Sequence, residues 1–166
     1  MRYLPILVGA GALVAGYHLV ATSAVEWSPG TLVESLPQQT NLERSDPIAL
    51  EGFELTPRAR FKAEVRVLGR SRYWLGDLAD VSPLDIAVGW GPMSDSAVLA
   101  HIEVSQSGRF YFWSYEDEPP IPRADTEAHS ANWHLIPAND AAWSRLSGLR
   151  VGDLVTLEGF LVDVHS

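Results

Sequence analysis

Three of the five histidines, His101, His129 and His134, fall in the middle of this 166-residue chain. Imidazole is the side chain best suited to bind a metal or move a proton near neutral pH. His129 and His134 are separated by five positions. On a strand that spacing points them to opposite faces, and on a helix they diverge by about 140°. There is no His-Glu-x-x-His and no cysteine, so a zinc site would rest on histidine with Asp or Glu alone. Nucleophilic chemistry would draw on Ser105, Ser107 or Ser130, yet no Gly-x-Ser-x-Gly elbow is present. The residues therefore assign no catalytic group, no metal and no cofactor. They predict histidines that donate to backbone carbonyls and fix loops.

Binding chemistry is the stronger expectation. Phe110-Tyr111-Phe112-Trp113-Ser114-Tyr115 places five aromatics in six residues, and Arg109, which suits a carboxylate, precedes it. Trp90 and Trp133 supply large flat groups from two other segments. The candidate surface is Trp90, Arg109, Tyr111, Trp113, His129, Asn132, Trp133 and His134. The competing reading for Trp90 and Trp133 is that they fill a small core.

Several elements must position these groups. Phe61-Lys62-Ala63-Glu64-Val65-Arg66-Val67 alternates and predicts a half-buried strand. Ser82-Pro83-Leu84-Asp85 carries the signals of a helix start. Ser94-Asp95 suggests a cap for a short helix through Ala97–Ala100, and Ser107-Gly108 a turn before the aromatic strand. Asn139-Asp140 caps a helix that stops at Gly148. Val155–Val164 reads as a closing strand bent or bulged at Gly159. A Gly-Asp turn into such a strand suggests a small bent barrel of the OB or SH3 kind. The expected class is mainly β with short helices (α+β), forming that barrel behind one N-terminal transmembrane helix.

That helix is expected from Tyr3 to Val25, 23 residues without Asp, Glu, Lys or Arg. As a helix the run spans about 34 Å, enough for a hydrocarbon core of about 30 Å. Arg2 before it and Glu26 after it place the N-terminus in the cytoplasm and the rest outside. A cleaved signal peptide, with small residues Ala21, Ser23 and Ala24, is the rival reading. The organisation expected is an anchor over 1–25, a Pro-punctuated tether over 26–58, and a β-rich domain over 59–166. Leu32, Val33, Leu36, Phe53 and Leu55 within the tether are able to dock on that domain.

Arg2 is the only basic side chain before Glu26, so residues 26–166 hold 11 Lys+Arg against 21 Asp+Glu, a net −10. Such a surface repels nucleic acid and anionic headgroups. The partners expected are the membrane, through residues 3–25, and an envelope protein.

Trp90-Gly91-Pro92-Met93-Ser94-Asp95, Ser105-Gln106-Ser107-Gly108-Arg109 and His129-Ser130-Ala131-Asn132-x-His134-Leu135-Ile136-Pro137-Ala138 together resemble a bacterial family of single-pass, membrane-anchored or exported proteins. The resemblance covers roughly 58–164. It implies a bacterial origin and an exported, membrane-tethered globular domain on the periplasmic side of the inner membrane. That family has no established activity, so no catalytic residue transfers. The function expected is a non-catalytic binding or assembly module. The alternatives are an envelope hydrolase or metal enzyme using His129 and His134, and a structural spacer.

Overall fold

The computed structural model describes residues 6–8, 25–50 and 52–165, the first three through their backbone alone. In chain order the strands are β1 (Ile6–Val8), β2 (Gln38–Asn41), β3 (Ile48–Leu50), β4 (Phe53–Arg72), β5 (Leu84–Gly89), β6 (Glu103–Ser107), β7 (Phe110–Ser114), β8 (Ser130–Ile136) and β9 (Leu154–His165). Short helices α1 (Asp77–Val81), α2 (Ser96–Leu99), α3 (Arg123–Ala128) and α4 (Asp140–Ser147) lie between them. The fold is mainly β with short helices. Except for Ile6–Val8 and Val25, the expected anchor lies outside the described residues. Among the described residues no helix is long and apolar enough to cross a membrane.

The organising element is β4. Its 20 residues would run about 66 Å if straight, whereas a domain of this size is about 35–40 Å across. The strand must bend. It does so at two irregularities, between Pro57 and Ala59 and between Val67 and Gly69. One edge of β4 carries β9 from Glu54 to Arg66. The other edge carries β3, β2 and β5 in succession. The alternation expected over 61–67 holds through Val65: Ala63, Val65 and Val67 are buried and Lys62 and Glu64 exposed, whereas Arg66 is buried, its guanidinium donating to the Ser94 carbonyl.

Three expectations fail here. The helix predicted from Ser82 is instead β5, buried along its whole length between β4 and β8. The alternating apolar run Leu84-Asp85-Ile86-Ala87-Val88 suits a central strand, and tertiary pairing overrides the local Ser-Pro signal. The bend expected at Gly159 falls on the partner strand, because Gly159 pairs regularly with Phe61 and the irregularity lies at Arg58. Nor is the sheet closed into an OB- or SH3-like barrel. Strands β8 and β9 share no ladder of their own, and only the three-residue backbone of β1 runs beside both. The helix capped by Asn139 forms as expected, with its side chain accepting from the Ala142 N–H at 2.9 Å.

Residues 25–36 lie against the body. The Trp27 indole N–H donates to the Gly152 carbonyl at 2.8 Å. Ser94 Oγ accepts the N–H groups of Leu32 and Val33 and donates to the Gly91 carbonyl. Val33 and Leu55 are buried, whereas Leu36 is exposed.

Asp95 caps α2 as expected. Its carboxylate accepts from Gly30 N–H at 2.9 Å and from Ala97 N–H at 2.8 Å. These two donors hold its pKa below the ordinary carboxylate value. A depressed folded-state pKa contributes stability that is present above the unfolded pKa and is lost as pH falls through the folded one. Asp95→Asn keeps a capping acceptor, so it should flatten the fall of the urea midpoint below about pH 4. An unchanged acid limb would remove Asp95 from the account.

Candidate functional site: a buried charge cluster under an aromatic hairpin

Strands β6 and β7 form a separate hairpin that packs on one face of the main sheet. Its turn holds Gly108 and Arg109 at positive φ, 57° and 71°. The Ser107-Gly108 signal was correct, but the second left-handed position is an arginine, which that conformation disfavours. The Arg109 side chain holds it in place. Its Nη1 donates to Asp85 Oδ1 at 2.9 Å and to the Ser82 carbonyl at 2.8 Å. Its guanidinium lies 3.7 Å from the centroid of the Tyr73 ring, and its backbone N–H donates to the Tyr73 hydroxyl.

Alternation along β5 and β8 builds the rest. Asp85 from β5, with Asn132 and His134 from β8, meets the hairpin, while Ile86 and Trp133 point into the main core. Asp85 is fully buried, and His134 Nδ1 lies 2.8 Å from the oxygen that Arg109 also contacts. That imidazole approach is close but bent, so it falls short of an aligned hydrogen bond, and Asp85 Oδ2 has no partner. Burial, and then the neighbouring Asp85 carboxylate, raises the Tyr73 phenol pKa above its ordinary value, so Tyr73 stays a neutral donor. Asn132 accepts from Gln106 Nε2 at 2.7 Å and donates to the Arg109 carbonyl at 3.2 Å. Tyr111 and Ser130 hydroxyls meet at 3.0 Å, and Ser130 donates onward to the Thr126 carbonyl.

The second and third motifs thus meet in this network, and the first touches the third through the Trp90 N–H on the His129 carbonyl, but the eight candidate residues do not make one groove. Arg109, Tyr111, Asn132 and His134 belong to the network beneath the hairpin. Trp113 is half-buried beside the Leu68, Met93 and Ile102 cluster. Trp90 and Trp133 are core residues that stack at 6.4 Å, with Phe61 edge-on to Trp133 at 5.2 Å. His129 follows α3, and its Nδ1 lies 2.8 Å from the Asp125 carbonyl. Along the strand it is about 16 Å from His134, and His101 is exposed elsewhere. No group of three metal-ligating side chains occurs among the described residues.

Two members of the network, Asp85 and Tyr73, were not singled out from sequence. Asp85 had a readable signal: it is the one charged residue in the apolar stretch Leu84–Trp90, where burial demands a partner. Tyr73 had none.

The hairpin's second face points away from all of this. Phe110 and Phe112 are 63% and 55% exposed. These two rings stand side by side on the solvent face of the hairpin, opposite the arginine that is sunk into the sheet.

No protein-family model, no curated protein and no solved structure matches the chain.

Proposed function

We propose that this protein is a non-catalytic binding module, tethered by residues 3–25 to the bacterial inner membrane with its domain on the periplasmic side; in the tethered state Ile6–Val8 leave their places beside β8 and β9 and enter the bilayer. Hairpin β6–β7 carries its contact surface, and an envelope protein is its partner. The observation that carries the reading is the division of labour across the hairpin. Arg109, Tyr111 and Trp113 point inward and fasten it, and Phe110 and Phe112 point outward, more than half exposed among the described residues. Two phenylalanines more than half exposed forgo about half of the 1.5–3 kcal/mol that full burial of each would supply, and a monomer gains nothing from displaying them together. The net −10 of residues 26–166 disfavours nucleic acid as the ligand. The apolar N-terminal run, its flanking charges and the family resemblance support the tether.

The alternative enzyme needs His129 and His134 in one site. Their separation and the engagement of His129 with Asp125 count against it.

A photo-crosslinking amino acid at position 112 of the full chain, in native membranes, tests the proposal. The expected result is a discrete adduct that is absent when the same group replaces Asn41, an exposed residue of β2. Equal labelling from both positions would sink it.

A further inference from the structure

The backbone of Ile6–Val8 fills a gap in the main sheet. It pairs in parallel with His134–Ile136 of β8 on one side and antiparallel with Phe160–Val162 of β9 on the other. Neighbouring strands lie about 4.8 Å apart, so the edges of β8 and β9 stand roughly 9.6 Å from each other here, the room of one strand. Their far edges are held elsewhere. β8 is paired to β5 from Ser130 to Leu135, β5 is paired to β4, and β9 is paired to β4 from Glu54 to Arg66. The gap is therefore set by the frame of long strands and not by the three residues in it. Both of its faces are apolar. Leu135 and Leu161 belong to the main core, while Ile136, Val162 and Phe160 belong to a second apolar cluster, on the opposite face by strand alternation. A strand seated between them is covered on both sides, so it must be apolar at consecutive positions and not at alternate ones. Ile6-Leu7-Val8 is such a run.

The same three residues lie inside the apolar run 3–25. Val25, at the end of that run, packs against Gly152, and Trp27 donates to the Gly152 carbonyl. With Ile6–Val8 in the sheet, both ends of the intervening stretch are held by one domain, and a stretch held so cannot cross a bilayer once. Filling the gap and crossing the membrane exclude each other. Once the run is in the bilayer, β8 and β9 face each other with two rows of backbone N–H and C=O groups and no strand between them among the described residues. Such rows cost free energy until they are paired and are a template for another strand.

We infer that the gap between β8 and β9 is a strand-accepting slot, and that in the tethered state an extended segment of the envelope partner, apolar at three consecutive positions, takes the place of Ile6–Val8. The inference rests on the tether reading. It adds a backbone-paired contact to the side-chain contact of hairpin β6–β7. Main-chain hydrogen bonds to two edges supply affinity, and the two apolar faces select the sequence. The chemistry of the occupant is that of the segment seated there, Ile-Leu-Val. A second tethered copy is not the donor, because its own Ile6–Val8 are in the bilayer too.

The absence of cysteine makes the test direct. Leu7 is level with Leu161 in the ladder. The full chain carrying both Leu7→Cys and Leu161→Cys is reconstituted in phosphatidylcholine bilayers and oxidised. No disulfide is expected, because position 7 is in the bilayer. A full chain carrying Leu161→Cys alone, in the same bilayers, is offered the synthetic peptide Leu-Pro-Ile-Leu-Val-Gly-Ala, residues 4–10, with cysteine in place of its central leucine. The expected result is a mixed disulfide, lost when proline replaces the peptide's valine and absent from an Asn41→Cys chain. If Leu161→Cys weakens the fold, Phe160→Cys gives the second reading, with the peptide's cysteine moved to the valine and the proline to the isoleucine. A disulfide in the doubly substituted chain, within one chain or between two, would keep Ile6–Val8 in a sheet and remove the tether, and the vacated slot with it. No disulfide there and none with the peptide would overturn the slot alone. Equal reaction of the proline peptide, or of the Asn41→Cys chain, would also overturn it, because capture would not need strand pairing in this gap.

Discussion

Arg109→Ala should lower the unfolding free energy by about 3 kcal/mol, the low end of the range for breaking a buried ion pair. The low end applies because one-fifth of the Arg109 side chain is exposed. The cost comes from what remains. Asp85 is fully buried, one of its oxygens already lacks a partner, and His134 approaches the other off-axis. Removing the guanidinium leaves that buried carboxylate with the neutral Tyr73 hydroxyl and the off-axis His134 imidazole in place of a cation. For a domain whose total stability is of order 5–15 kcal/mol the loss is severe. Backbone conformation sharpens the prediction. Position 109 sits at φ 71°, so Arg109→Gly should be milder than Arg109→Ala by about 1 kcal/mol. Adding Asp85→Leu to Arg109→Met should recover much of the loss, since an apolar pair can replace a buried ionic one. Urea midpoints at constant m-value would measure all three. Equal midpoints for wild type and Arg109→Ala would show that the ion pair does not hold the hairpin.

Trp133→Ala should cost about 3–5 kcal/mol, the range for removing a large core aromatic. Trp133 is 6% exposed and lies between Trp90 and Phe61, so the void has no route to solvent and little freedom to collapse. Phe112→Ala, by contrast, should shift stability by no more than about 0.5 kcal/mol, as surface changes do. Thermal unfolding of the two variants side by side separates a core aromatic from a contact aromatic. A mild Trp133→Ala paired with a severe Phe112→Ala would reverse the roles given to these rings.

The contrast between Trp133 and Phe112 also marks what the sequence could disclose. Period-two alternation placed Phe110 and Phe112 on one face and Tyr111 and Trp113 on the other, because side-chain direction along a strand is a local property. Asn139 and Asp95 were legible as caps for the same reason: a cap acts within three residues. What escaped were properties set by distant segments. Leu84–Gly89 is a strand because β4 and β8 flank it, and nothing within Ser82–Asp85 encodes those neighbours. The motif residues Arg109, Asn132 and His134 stood out, but the meeting of Arg109 and His134 at Asp85, with Asn132 on the Arg109 carbonyl, depends on sheet register. Tyr73 joins them only because the hairpin folds back over the end of β4.

The long ladder between β4 and β9 governs when this domain is able to fold. It joins residues roughly 90–110 positions apart, a topology that folds slowly because chain closure must precede its reward. Every pairing partner of β4 on that edge comes from the last twelve described residues. A chain made from its N-terminus onward therefore holds β4 with one edge unpaired, and its longest ladder forms only once the C-terminal strand is complete. Until then β4 is paired along its other edge alone, and that open edge is what any holding factor would meet on the unfinished domain.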